Sequence, residues 1–191
     1  MIFLSASIPD QSSERKYTET ADVIAIRDSV RALASVVIPN SRLIWGGHPA
    51  ITPLIRYVIE SVNPGLQLKK HITLYQSDFY KNSFPKDNLF FENIIKIPAN
   101  VNELSSVNDM RNRMIKDNEY KVGIFIGGRQ GVEREFSLFK EVHPKALLLP
   151  IASTGAAARI IYNGIIPRLD VRLLNDYAYM SLFKSLLKEY I

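Results

Sequence analysis

The sequence predicts an α/β fold: one doubly wound, mostly parallel sheet with helices on both faces, built by residues 1–191 as a single domain. Three observations lead there. Short β-branched and aromatic runs recur along the chain, and each passes through small residues into apolar positions at helical spacing. The 191 residues, 47% of them hydrophobic, suffice for one well-filled core and are short for two. No stretch approaches the roughly 20 apolar residues that span a bilayer, so a soluble chain is expected.

Ile2-Phe-Leu4 reads as a first strand that ends in Ser5-Ala-Ser7 and Pro9. Its start lacks the basic region and long apolar run of a signal peptide. Asp10 to Glu19 carries no periodic pattern and is expected to be a surface loop, with Tyr17 placed to close on a ligand. From Ala21 the positions Val23, Ile26, Val30, Leu33 and Val37 recur at helical spacing, with Thr20 as a cap and Pro39 as a stop. Arg42 to Trp45 reads as the second strand, Gly46-Gly-His48 as its exit, and Ile51, Leu54, Ile55, Val58 and Ile59 as the next helix, with Pro53 in its first turn.

His71 to Tyr75, Leu89 to Phe91 and Ile94 to Ile97 have strand-like composition around a polar loop from Gln76 to Asn88. Residues 99–108 look loop-like, and a short basic helix with Arg111, Arg113 and Lys116 opens at Val107 or Asn108. Val122 to Ile126 is a buried strand, broken by Gly127, Gly128 and Gly131 and followed by a helix with the stripe Val132, Phe136 and Phe139. That stripe serves either the core or a subunit contact. Ala146 to Pro150 is the last strand, with Ser153 or Thr154 capping the helix after it, and Tyr177 to Ile191 is a closing amphipathic helix.

Four strand ends therefore carry small residues: Ser5 to Ser7, Gly46 to His48, Gly127 to Gly131, and Ala152 to Gly155. In a parallel sheet these ends converge on one edge, where ligands bind. Glycine amides at a helix start suit a phosphate, which makes Ser5, Ser7, Gly46, Gly47, His48, Gly127, Gly128, Arg129, Gly131 and Thr154 the candidate ligand-binding set. The net charge of +5 comes from scattered lysines and arginines, a pattern that fits an anionic small ligand better than nucleic acid. With no cysteine there are no disulfides and no cysteine-based metal sites. No metal and no cofactor is expected, and the cytoplasm is the default location.

The run from Gly127-Gly128 through Gly131-Val-Glu-Arg-Glu135 resembles the P-G-G-x-G-T-x-x-E signature of the "Lonely guy" cytokinin-activating enzymes. Ile126 replaces the proline, one residue is inserted before Gly131, and Val132 replaces the threonine. Met110-Arg-Asn-Arg113 resembles the M-x-x-R element of the same enzymes. Together with Trp45-Gly-Gly-His-Pro-Ala-Ile51, these motifs are similar to the SLOG superfamily, and most of all to stand-alone bacterial members of nucleotide-signalling and phage-defence systems. The resemblance implies a Rossmann-like sheet, a pocket for a nucleotide-derived molecule and a dimer. It carries a catalytic arginine and glutamate onto Arg113 and Glu135, which would cleave an N-glycosidic bond. The departures at Ile126, Arg129 and Val132 favour binding and sensing over turnover.

Overall fold

The computed structural model describes residues 1–62, 71–165 and 169–191. Its strands are β1 (Ile2–Ser7), β2 (Leu43–Trp45), β3 (Ile72–Ser77), β4 (Ile94–Ile97), β5 (Val122–Gly127) and β6 (Leu147–Ile151). They form one sheet in the order β4-β3-β2-β1-β5-β6, and every pairing is parallel. The helices are α1 (Arg15–Thr18), α2 (Val23–Val37), α3 (Thr52–Val62), α4 (Glu103–Lys116), α5 (Gln130–Val142), α6 (Ala156–Asn163), α7 (Arg172–Asn175) and α8 (Tyr179–Leu186). This is a Rossmann-like α/β fold. Among the described residues no helix is long and apolar enough to cross a membrane.

Alternation along β1 builds the two layers. Ile2 and Leu4 join Ile26, Val30 and Leu33 of α2 and Phe183 of α8 in one core, while Phe3 joins Met114 of α4 and Phe139 of α5 in the other. The Phe3 and Phe139 rings stack at 5.0 Å. Phe136 packs edge-on against Phe125 at 5.1 Å and Phe139 is fully buried, so the α5 stripe contributes to the core.

The sheet grows from β1 outward through β2, β3 and β4, then resumes on the other flank of β1 with β5 and β6. That reversal opens a crevice between the carboxyl ends of β1 and β5, where Ser7 is in register with Gly127.

Several local expectations shift, each for a capping or packing reason. The cap of α2 is Asp22, whose Oδ1 accepts from the Ala25 amide at 2.9 Å, and Thr20 Oγ1 instead accepts from Ala156 at the start of α6. Neither Ser153 nor Thr154 caps α6. Helix α4 opens a turn earlier than its apolar pattern suggests, because Asn102 and Ser105 form a reciprocal capping box. Leu89 lies in a 3₁₀ turn (Lys86–Phe90), and neighbouring Phe91 is apolar because it packs on Trp45 at 5.3 Å. The Asp10 to Glu19 segment contains α1, which turns Tyr17 inward until it is 1% exposed. The closing helix α8 covers only the middle of the predicted stretch.

Candidate functional site

The crevice widens into an open cleft of about 1190 Å³. Glu135 of α5 lies on its wall. Oε2 accepts a 2.6 Å hydrogen bond from Ser5 Oγ on β1, and Oε1 accepts at 2.9 Å from Arg111 Nε on α4. The two charged side chains are only 16% and 14% exposed. Gly131 makes room for this pair, since a Cβ there would stand 2.7 Å from Arg111 Nη2. Ser5 is itself buried and its hydroxyl is committed to Glu135, whereas Ser7 lines the cleft.

Arg113 lies elsewhere. Residues two apart on an α-helix point about 200° apart, so the helix that turns Arg111 toward the cleft turns Arg113 to solvent. Its side chain is 64% exposed and donates to Asp117 at 2.6 Å, one turn along. The phase was available in Met110 and Met114, the buried stripe of α4 that Arg111 adjoins.

The glycine turn also divides its labour. The Gly127 amide donates to Thr154 Oγ1 at 2.8 Å, and the Thr154 hydroxyl donates onward to the Ile151 carbonyl at 2.5 Å. Thr154 is fully buried and ties the β6 exit to the β5 exit instead of meeting a ligand. Gly127 and Gly128, with φ of 55° and 91°, shape the corner, and the cleft is lined by the residues after them, Arg129, Gln130 and Gly131. The Val132 amide donates to the Arg129 carbonyl at 2.9 Å, whereas the amides of Gln130 and Gly131 precede the first helical bond of α5 and are suited to an anion. Arg129 Nη1 reaches Asp10 Oδ2 at 2.9 Å and Ser13 Oγ at 3.4 Å, so the loop after β1 is clasped to the turn. Tyr17 adds a hydrogen bond from its hydroxyl to the Glu133 carboxylate, and burial followed by that bond raises its pKa.

The model of the SLOG cluster3 family matches residues 16–187, all but the ends of the chain. The chain belongs to this family. No curated protein matches it. SLOG membership supports a nucleotide-related function in general, and the cleft lies where a Rossmann-like sheet places such a ligand.

On the β2 side of the SLOG cleft, Gly46 and Gly47 turn their carbonyls to Gln76 Nε2, at 3.4 and 3.2 Å. His48 follows. Its Nδ1 accepts from the Ala50 amide at 3.2 Å, which assigns the proton to Nε2 and makes that atom a donor. Burial first, then the Arg129 cation, lowers the His48 pKa to about 4 against the opposing pull of Asp10. At neutral pH the ring is therefore an uncharged donor.

Arg111, Arg129 and Arg134 line the cleft together with Glu14, Glu103 and Glu135. Arg111 and Arg129 are in ion pairs, whereas Arg134 makes none among the described residues. Among those residues no cluster of three or more His, Cys, Asp or Glu side chains could hold a metal ion. Arg111, Gln76, Arg134 and the Asp10 clasp were not singled out from the sequence as site residues. Only Arg111 carried a local signal, its phase against Met110 and Met114.

Proposed function

We propose that this SLOG protein binds a phosphate- and ribose-containing, nucleotide-derived small molecule, of the cyclic or ADP-ribose type, and acts as a sensor in signalling or defence. The observation that carries this reading is the engagement of both Glu135 oxygens, one by Ser5 and one by Arg111. Each oxygen keeps a lone pair beyond its bond, so the carboxylate is a fixed acceptor for the hydroxyls of a ligand's sugar. Phosphates would run to Arg129, Arg134 and the first-turn amides of α5. The cleft volume of about 1190 Å³ exceeds the usual range for small-ligand pockets, which suits a dinucleotide-sized ligand better than a mononucleotide.

A second reading has its own support. A carboxylate and a guanidinium paired in a cleft beside a glycine turn are the groups that N-glycosidic hydrolysis requires, with Glu135 stabilising the sugar cation and Arg111 taking the arginine role assigned to Arg113 by motif. One screen separates the two. The protein is incubated with nucleoside monophosphates, NAD, ADP-ribose and cyclic ADP-ribose, and both melting temperature and free base are recorded. The sensor reading expects a rise of several degrees with an ADP-ribose-type ligand at about 100 times its Kd, and no base released. Base release that disappears in Glu135→Gln establishes the enzyme instead. No shift with any nucleotide, together with salt-sensitive binding to single-stranded DNA, overturns both readings.

A further inference from the structure

Away from the glycine turn the cleft changes character. Leu104, Val107 and Arg111 are spaced three and then four residues apart, which places them along one face of α4, and all three line the cleft. From Leu104 to Arg111 that face runs two turns, about 10 Å. Tyr80 and Phe84 line the same end, Tyr80 at the close of the 3₁₀ turn (Asp78–Tyr80) that follows β3.

The Tyr80 ring is held in place. Its hydroxyl donates to Glu103 Oε1 at 2.5 Å, and Phe79 packs edge-on at 5.3 Å. Burial, reinforced by Glu103, pushes the phenol pKa up to about 12, so it stays protonated and keeps donating at neutral pH. Yet Tyr80 remains 38% exposed and Leu104 57% exposed, leaving apolar surface open to water inside a cleft. An oriented aromatic face and an aliphatic wall thus stand two helical turns from Arg111 and Glu135, with Arg129 and Arg134 in the same cleft. The occupant that satisfies both ends is flat and apolar at one and anionic at the other.

We infer that Tyr80, Leu104 and Val107 form the base compartment of this cleft, with the heteroaromatic base of the ligand stacked on the Tyr80 ring against the two aliphatic side chains. This inference rests on the nucleotide reading above and adds the direction in which the ligand lies. Its sugar faces Glu135, and its phosphates point toward Arg129 and Arg134. Glu103 acts through Tyr80 as a positioning residue.

Calorimetric titration of ADP-ribose and of ribose 5-phosphate tests the assignment, because the second probe keeps sugar and phosphate and lacks the base. Tyr80→Ala is expected to weaken ADP-ribose about 10-fold or more, the scale of a lost base–aromatic stack, with ribose 5-phosphate unchanged. Tyr80→Phe keeps the ring but loses its tie to Glu103, and is expected to weaken ADP-ribose less than Tyr80→Ala does, with ribose 5-phosphate unchanged. If Tyr80→Ala leaves ADP-ribose binding intact, the base lies elsewhere and the inference falls while the nucleotide reading stands. An equal loss for both probes makes Tyr80 a structural residue and also overturns it. Binding of neither probe by the wild-type protein, with no thermal shift from any nucleotide of the screen above, removes the nucleotide reading, and this inference with it.

Discussion

Replacing Arg111 by alanine removes the partner of a carboxylate that is 14% exposed. Two limits bracket the cost. An exposed ion pair contributes about 0–1 kcal/mol, whereas stripping one partner from a fully buried pair costs about 3–5 kcal/mol because the other charge is left unpaired. Glu135 lies nearer the buried limit but keeps its 2.6 Å bond from Ser5 and some contact with cleft water, so a cost of about 2–3 kcal/mol is expected. For a chain of this length that is a drop of roughly 5–10 °C in melting temperature. Urea denaturation of wild type, Arg111→Ala, Glu135→Gln and the double variant closes the cycle, and the double variant should lose less than the sum of the singles, since no orphaned charge remains. Arg113→Ala, measured alongside, should leave the melting temperature unchanged, because its side chain is 64% exposed and among the described residues pairs with Asp117 alone. Additive single effects, or a larger loss from Arg113 than from Arg111, would refute the assignment of Arg111 as the residue that holds Glu135.

Three further outcomes follow from individual residues. His48 has a folded pKa of about 4 against 6.5 for the free side chain, so the native state binds fewer protons; its contribution is whole above pH 6.5 and is lost as the pH falls toward 4. The loss should total about 3 kcal/mol, and His48→Gln should flatten urea-derived stability against pH across that window; an unchanged slope would place the acid sensitivity elsewhere. Gly47→Ala should destabilise by about 1–3 kcal/mol in urea, since Gly47 has a φ of 68° and a Cβ there would lie 1.5 Å from Gln76 Nε2. Asp10→Asn frees Arg129 from its carboxylate partner and should tighten ADP-ribose binding several-fold by calorimetry. An unchanged affinity would remove Arg129 from the ligand contacts.

The fold was legible because its signals are local. Runs such as Val122 to Ile126 end in glycine and hand over to a helical stripe, and the same handover at Trp45 fixes the carboxyl ends that converge. Glu135 was legible for the same reason, being four residues from Gly131 and one turn into a helix. Arg111 and Arg113 differ only in helical phase. A motif match fixes residue order and type, but the face is set by which side chains the helix buries, here Met110 and Met114. Thr154 and Ser5 have the residue types of ligand contacts, yet their hydroxyls are committed to Gly127 and Glu135, partners 27 and 130 residues away that no local pattern encodes. The Asp10–Arg129 clasp spans 119 residues and was illegible for the same reason.

The wall formed by Ser5, Glu135 and Arg111 is hard to explain as a stability device. It joins β1, α5 and α4, elements already packed through Phe3, Phe139 and Met114, so no connection is gained that the apolar core lacks. Desolvating two charges is expensive, and apolar residues of similar volume commonly serve as well or better. What the polar arrangement adds is orientation: a carboxylate fixed at both oxygens, at the edge of a cleft, beside a helix start. Such a group needs no reorganisation when a sugar hydroxyl arrives, so less binding energy is lost to ordering side chains. The same consideration applies to Tyr80, held by Glu103 before any base reaches it, and to His48, held as a neutral donor by Ala50 and by burial. Three polar groups fixed in advance around one cleft lower the cost of ordering side chains when a ligand binds, and the paired titrations of ADP-ribose and ribose 5-phosphate on the Tyr80 variants measure that contribution for one of them.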